Sequence, residues 1–341
     1  MLLKKKGGIM KKSITLIFWL VFILPIYCFS SSSIRASSDS IKQLSPAQNS
    51  LKTLLLKYGY KEVPIRFSND KNYLLIDITL GSEKISKPFI LDTGATQNSI
   101  DQSLQDKYKF KRQGKNQTSG GVGGGYFSTY EVIIPKMRIG DYVAYNQLMT
   151  IQHYKHIKVD EKHIAGMIGL GFLRKNHVIL DIENHRMFLK VRNDKSKVTQ
   201  QILENILSLK KYKLIHLKRS SSGHQTLLVK INDEKPAQFM LDSGVPPSVF
   251  LDYKYATDIF GEIKGKPSIG KGSSNAITKI YTSRINKLSI DTINSGPQSV
   301  IITTGLEFAK IGIPLIGVIG LNWMRSHQAI IDTSDDLLFA K

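Results

Sequence analysis

The chain has 341 residues, enough for two ordinary domains or one large two-lobed one. With 41% hydrophobic and 22% charged residues it can bury a real core, which excludes a chain disordered throughout. Lys and Arg number 48 against 27 Asp and Glu, a formal charge of +21, but they are scattered without an interleaved aromatic motif, which argues against nucleic acid as a partner.

Lys11 and Lys12 precede an apolar run from Ile14 to Phe29, and Ser30–Ser33 follow. A basic start, an apolar middle and a small-residue exit, in that order, describe an export signal over residues 1–36. The run of 16 residues, broken by Pro25, is shorter than the roughly 20 of a membrane span. A retained signal anchor is the alternative, so membrane attachment through an uncleaved N-terminal segment stays open. Either way an exported protein, periplasmic or secreted, is expected. Six of the basic residues and no acid fall in 1–36, so the remainder still carries +15. Cys28 is the single cysteine; cleavage after it leaves no thiol for a disulfide or for catalysis. Pro25-Ile26-Tyr27 before it lacks the small residues that lipidation requires.

Helical periodicity is confined to Ser50–Tyr58 and Thr199–Leu209, where Leu51, Leu54 and Leu55 and then Ile202, Ile206 and Leu209 form apolar stripes. Elsewhere short runs punctuated by turns predict strands. Ile76-Asp-Ile-Thr-Leu80 alternates, Gly81-Ser82 turns, and Phe89-Ile-Leu91 leads into Asp92-Thr93-Gly94. After these come the glycine-rich Ser119–Tyr126 and the histidines His153, His156 and His163. The histidines lack cysteine companions and the H-E-x-x-H spacing, so a solvated or half-buried strand is expected and no metal site. Gly166-Met-Ile-Gly-Leu-Gly-Phe-Leu-Arg174 leads to Asp181, and Val178–Ile182 reads as one arm of a hairpin. The polar run Arg192–Lys197 marks a linker.

The pattern then repeats. Leu227–Ile231 and Phe239-Met-Leu-Asp242-Ser243-Gly244 match the first motif at an offset of 150, and Gly317–Arg325 matches the second at 151. Ala329–Asp332 returns as a second hairpin arm. The expected fold is therefore mainly β, with two pseudo-symmetric lobes and short helices: 37–195 carrying Asp92-Thr93-Gly94, and 196–341 carrying Asp242-Ser243-Gly244 after a linker helix.

An apolar strand ending in Asp-Thr/Ser-Gly places a carboxylate where the chain leaves the sheet; the glycine allows the sharp turn and the hydroxyl can brace it. Asp92 alone reads as a structural turn residue. Paired with Asp242 by pseudo-symmetry, it becomes half of a dyad that shares one proton, with the ionised member drawing a proton from water and the other donating to a carbonyl oxygen. That chemistry calls for no metal and no cofactor. Asp181 and Asp332 also repeat, but no glycine follows them, and they read as sheet-end residues. Gly120–Gly125 lacks the Lys-Ser/Thr of a phosphate loop and the G-x-G-x-x-G spacing, and no G-x-S-x-G occurs.

Over residues 60–341 the chain resembles the aspartic proteases, in particular the retropepsin-like, single-chain bacterial members with two Asp-Thr/Ser-Gly lobes. Leu91–Thr96 is similar to the family's active-site motif, Leu241–Gly244 to its core, and Ile168-Gly169 and Ile319-Gly320 to the element that supports each active-site loop. Gly120, Gly121, Val122, Gly123, Gly124, Gly125 and Tyr126 resemble the flap tip that closes over a bound peptide. The resemblance implies an endopeptidase with Asp92 and Asp242 as catalytic residues, supported by Thr93, Gly94, Ser243 and Gly244, acting as a monomer on a peptide or protein. The family pattern is broken at Val245-Pro246-Pro247, where paired prolines stiffen the loop and remove two N–H donors. Ser268–Ser273 is a poorer second flap candidate. The alternative function is a catalytically silent peptide- or envelope-binding module on the same fold.

Overall fold

Three large sheets carry the architecture. The structure, a computed structural model, describes residues 50–120, 126–191, 198–271, 277–304, 306 and 315–341. Residues 1–36, expected to be an export signal, the expected linker run 192–197 and Gly121–Gly125 of the expected flap lie outside the described residues, as do 272–273 of the second flap candidate.

In an eight-stranded sheet, strand Leu74–Leu80 pairs antiparallel with Lys87–Leu91, which pairs parallel with Gly166–Ile168. That strand runs antiparallel to Ser99–Asp101, which is parallel to Tyr142–Gln152. Tyr126–Ile139 follows in the order and pairs with both Tyr142–Gln152 and Leu74–Leu80, so the sheet closes on itself. In the ten-stranded sheet Gln225–Ile231, Ala237–Asp242, Gly317–Gly320, Val249–Asp252 and Gln298–Thr303 repeat that run of antiparallel and parallel pairings. The register also repeats: Phe89 faces Gly166, and Phe239 faces Gly317.

A six-stranded sheet draws on both sequence halves. Its order is Tyr60–Pro64, Arg186–Lys190, Ile179–Asp181, Ile330–Asp332, Leu337–Ala340 and Lys213–His216. The expected hairpin arms at 178–182 and 329–332 meet at its centre, with Leu180 opposite Ile331. Asp181 and Asp332 end their strands as expected: Asp181 accepts from the Asn184 backbone N–H and Asp332 from those of Ser334 and Asp335.

Two sequence expectations need correction. Strand Leu74–Leu80 is buried on both faces apart from Asp77, not alternating. Ile76, Ile78 and Leu80 enter the main core, while Leu75 packs in a second cluster with Ile90, Tyr154, Val159 and Ile164. Nor is helix confined to two segments. Leu51–Lys57 and Gln200–Ser208 form as expected, but Gln102–Tyr108, Leu170–Lys175, Tyr253–Phe260 and Leu321–Ser326 are helices too. At six to eight residues these are too short to show an amphipathic period. Two of them carry a legible start signal: Asp101 and Asp252 cap them by accepting from the N–H of Ser103 and of Lys254.

Candidate active site

Asp92 directly follows Lys87–Leu91 and Asp242 ends Ala237–Asp242, so each carboxylate stands where its strand leaves the sheet. Beside each runs the parallel strand of the second repeated motif. The Asp92 N–H donates to the Ile168 carbonyl (3.0 Å), and Leu170 and Gly171 donate to the carbonyls of Ala95 and Thr96 at 2.8 and 3.0 Å. In the other loop Leu321 and Asn322 donate to the carbonyls of Val245 and Pro246 at 2.8 and 3.1 Å. The bonds that anchor both loops therefore run through carbonyls, which proline keeps. The two prolines leave this scaffold intact, and the departure at Val245-Pro246-Pro247 does not distort it.

The loops lock into each other. The Thr93 N–H donates to Ser243 Oγ (3.0 Å), and the Ser243 N–H donates to Thr93 Oγ1 (2.9 Å). Each hydroxyl in turn donates to a carbonyl of the opposite strand end, Thr93 to Leu241 (3.1 Å) and Ser243 to Leu91 (2.8 Å). Both side chains are fully buried. Only a hydroxyl can accept and donate at one atom, which is why Thr and Ser occupy these positions.

This lock sets each aspartate carboxyl against the glycine of the opposite loop, so that Asp92 and Asp242 face each other. The glycines make the approach feasible. A methyl on Gly94 would overlap the Asp242 carboxyl, and one on Gly244 would lie 2.6 Å from the Asp92 carboxyl carbon. Gly169 is equally constrained, since a methyl there would lie 2.5 Å from the carbonyl oxygens of Ala95 and Gln97.

The two carboxyls are not equivalent. Asp92 Oδ1 accepts from two backbone N–H groups, Gly94 (2.8 Å) and Ala95 (2.9 Å). Asp242 Oδ1 accepts from Gly244 (2.7 Å), while the Val245 N–H points to the Asp242 main-chain carbonyl (3.4 Å). Burial raises both above the ordinary carboxylate range. Asp242 is raised much further, by burial and then by the negative charge of Asp92. Two buried carboxyls this close do not both ionise easily, so the pair favours sharing one proton.

Of the flap residues, Gly120 and Tyr126 are register partners where strands Lys111–Gly120 and Tyr126–Ile139 pair antiparallel. Gly121, Val122, Gly123, Gly124 and Gly125 lie outside the described residues. The poorer candidate also begins as a strand, Ser268–Lys271, paired with Ile277–Ile285. His153 and His156 are exposed in a loop and His163 is exposed on a short strand. Among the described residues no three His, Cys, Asp or Glu side chains group as a metal site.

Three neighbours escaped the sequence reading. Tyr154 is buried with its hydroxyl 2.6 Å from Ser99 Oγ, and burial pushes its phenol up. Arg174 belongs to the repeated motif, but nothing in sequence shows that it reaches Gly223, Thr333 and Asp336. His224 sits in a turn whose Gly223 faces Thr96 of the Asp92 loop, with its Nδ1 2.7 Å from Ser222 Oγ, and no local pattern signals it.

No curated protein matches the chain. Residues 76–172 match the family model described as aspartyl protease, a stretch running from the strand before Asp92 into the helix at Leu170.

Proposed function

We propose that this protein is an aspartic endopeptidase that hydrolyses peptide bonds with a water activated by Asp92 and Asp242. The observation that carries this reading is the buried pair of carboxyls, one from each repeat, facing each other across Gly94 and Gly244 with backbone N–H groups aimed at both. Asp92, ionised, takes a proton from a water as it attacks the scissile carbonyl carbon. Asp242 gives its proton to the carbonyl oxygen, yielding a neutral gem-diol and leaving one proton on the pair. In the second half Asp92 returns its proton to the departing amine nitrogen while Asp242 takes one back from a gem-diol hydroxyl. The C–N bond breaks, and the dyad regains its starting state.

Two pseudo-symmetric lobes, each supplying one aspartate, account for the matching strand order of the two large sheets. The antiparallel pair Lys111–Gly120 and Tyr126–Ile139 is the element suited to cover an extended peptide. The basic and apolar start of the chain supports export to the periplasm or beyond, and two halves in one chain support a monomer.

The test is digestion of a peptide library by purified protein, with Asp92→Asn and Asp242→Asn beside it. Each variant should lose essentially all turnover while keeping its fold, because each carboxyl moves a proton that the other cannot. The wild-type profile should be bell-shaped with its maximum on the acid side of neutral, and a chelator should leave the rate unchanged. Near wild-type turnover by either Asn variant would overturn the assignment.

A further inference from the structure

Asn98 closes the loop that begins at Asp92, and it is buried. Its side-chain oxygen Oδ1 accepts from the Gly169 N–H (3.1 Å). Its main-chain carbonyl accepts twice from Thr150, from the N–H at 2.9 Å and from Oγ1 at 3.1 Å. One residue thus holds two different elements, with one oxygen for each.

Gly169 lies directly against the Asp92 loop, at the carbonyls of Ala95 and Gln97. The bonds from Asp92 to Ile168 and from Leu170 to Ala95 hold that loop at its start and middle, and the Asn98 side chain adds the hold at its end. Thr150 belongs to strand Tyr142–Gln152, where its register partners are Ser99 on one side and Glu131 on the other. Glu131 is part of Tyr126–Ile139, one of the two strands suited to cover a peptide. Thr129 of that strand is opposite Gln117 of the other, and its Oγ1 donates to the Ile151 carbonyl. A continuous run of buried hydrogen bonds and one peptide link therefore leads from Thr129 through Ile151 and Thr150 to Asn98 and Gly169.

The Asp242 half is built differently. Ser248 stands where Asn98 does, at the 150-residue offset, and meets the Gly320 N–H with its main-chain carbonyl (3.0 Å). Ile100 faces Ile151 as Phe250 faces Ile301, which puts the fully buried Val300, without a hydroxyl, in the place of Thr150. An amide side chain carries a carbonyl oxygen of the same kind as the backbone's. Asn98 can therefore hold Gly169 with its side chain and keep its main-chain oxygen for Thr150.

We infer that Asn98 is a positioning residue that joins the Asp92 loop to the peptide-covering strands: its side chain seats the loop on Gly169, and its main chain ties that loop to the strand behind them. Closure of the covering strands over a peptide then tightens the Asp92 turn, whose Gly94 and Ala95 N–H groups hold the carboxyl, and leaves the Asp242 turn unchanged.

The kinetic arm rests on the proposed peptidase activity; exchange at Gly169 does not. In Asn98→Ala, amide exchange at Gly169 should accelerate about fivefold to tenfold, as loss of one hydrogen bond allows, with Gly320 at the wild-type rate. Asn98→Asp keeps a carbonyl oxygen at the same reach and should restore slow exchange. Unchanged Gly169 exchange in Asn98→Ala overturns the inference. The coupling is read by adding a statine-containing peptide: in wild type, exchange at Thr150 and Gly169 should slow together, and in Asn98→Ala only Thr150 should respond. A wild-type Gly169 that does not respond while Thr150 slows overturns the coupling, and this measurement decides even if the alanine variant folds poorly. With a cleavable peptide, kcat should fall about tenfold to a hundredfold in Asn98→Ala at a KM within about twofold of wild type, and Asn98→Asp should recover most of the loss. A wild-type kcat in Asn98→Ala overturns the positioning role. Wild-type protein that neither cleaves peptides nor binds the statine peptide, yet shows the Gly169 change in Asn98→Ala, sinks the peptidase reading and supports the joint at Asn98.

Discussion

Replacing Thr93 by Val removes one oxygen and leaves the side chain's shape, so it isolates the hydrogen bonds that join the two aspartate loops. Two are lost: the donation from Thr93 Oγ1 to the Leu241 carbonyl and the donation from the Ser243 N–H to Thr93 Oγ1. Thr93, Leu241 and Ser243 are all fully buried, so water cannot take over for either stranded group. A buried donor or acceptor left unpaired costs about 1–3 kcal/mol, so two cost about 2–6 kcal/mol, and partial relaxation of the loops favours the lower half. We expect a loss of about 3 kcal/mol in urea unfolding at neutral pH, read from the midpoint with an unchanged slope. Thr93→Ser keeps the hydroxyl and should lose no more than about 1 kcal/mol, the contribution of a methyl group. Ser243→Ala breaks the other two bonds and should cost about as much as Thr93→Val. If Thr93→Val unfolds within about 0.5 kcal/mol of wild type, the reciprocal lock is not what holds the loops together.

The remaining expectations concern the dyad and its loops. Because the native Asp242 carboxyl is raised well above 3.8, the folded protein binds more protons than the unfolded chain, and stability falls as pH climbs from the ordinary carboxylate range through the raised native value. Asp242→Asn carries no such charge, so it should gain stability over wild type as pH rises toward 7 and show little advantage below pH 4, read from thermal unfolding across pH. Gly94→Ala drives a methyl into the Asp242 carboxyl; we expect turnover to collapse and the fold to lose stability, measured by peptide cleavage and urea titration in parallel. The joint variant Pro246→Ala, Pro247→Ala should keep cleavage within about threefold, because the loop is anchored through the Val245 and Pro246 carbonyls. Its stability should drop by about 1–2 kcal/mol, from the freer unfolded chain.

The dyad was legible because one motif occurs twice: a lone Asp-Thr-Gly says little, while its return at an offset of 150 implies two carboxyls in matching places. The chemical type of Thr93 and Ser243 was legible as well, but not that each hydroxyl reaches into the opposite strand end, because no local rule spans 148 to 152 residues. The prolines at 246 and 247 looked disruptive, since sequence shows which N–H groups vanish but not that the anchoring bonds use carbonyls. Strand Leu74–Leu80 misled in the other direction: Asp77 suggested a wet face, and the loop around Tyr154 that covers Leu75 could not be foreseen. Arg174 and His224 were missed for the same reason as the cross-loop bonds. The partners of Arg174 lie 49 to 162 residues away in sequence.

The shared six-stranded sheet also governs time. Ile179–Asp181 pairs locally with Arg186–Lys190 on one side, but its other neighbour, Ile330–Asp332, comes about 150 residues later, a long-range closure of the kind that folds slowly. A ribosome adding residues N-terminal first will have completed the strands around Asp92 long before residue 330 emerges. Through that interval the Asp92 half has a strand paired on one side only and an aspartate without its opposite number, so a nascent chain carries only half of the pair. The same delay leaves Ile179–Asp181 as a bare edge on which a stalled or truncated chain would be captured or would aggregate.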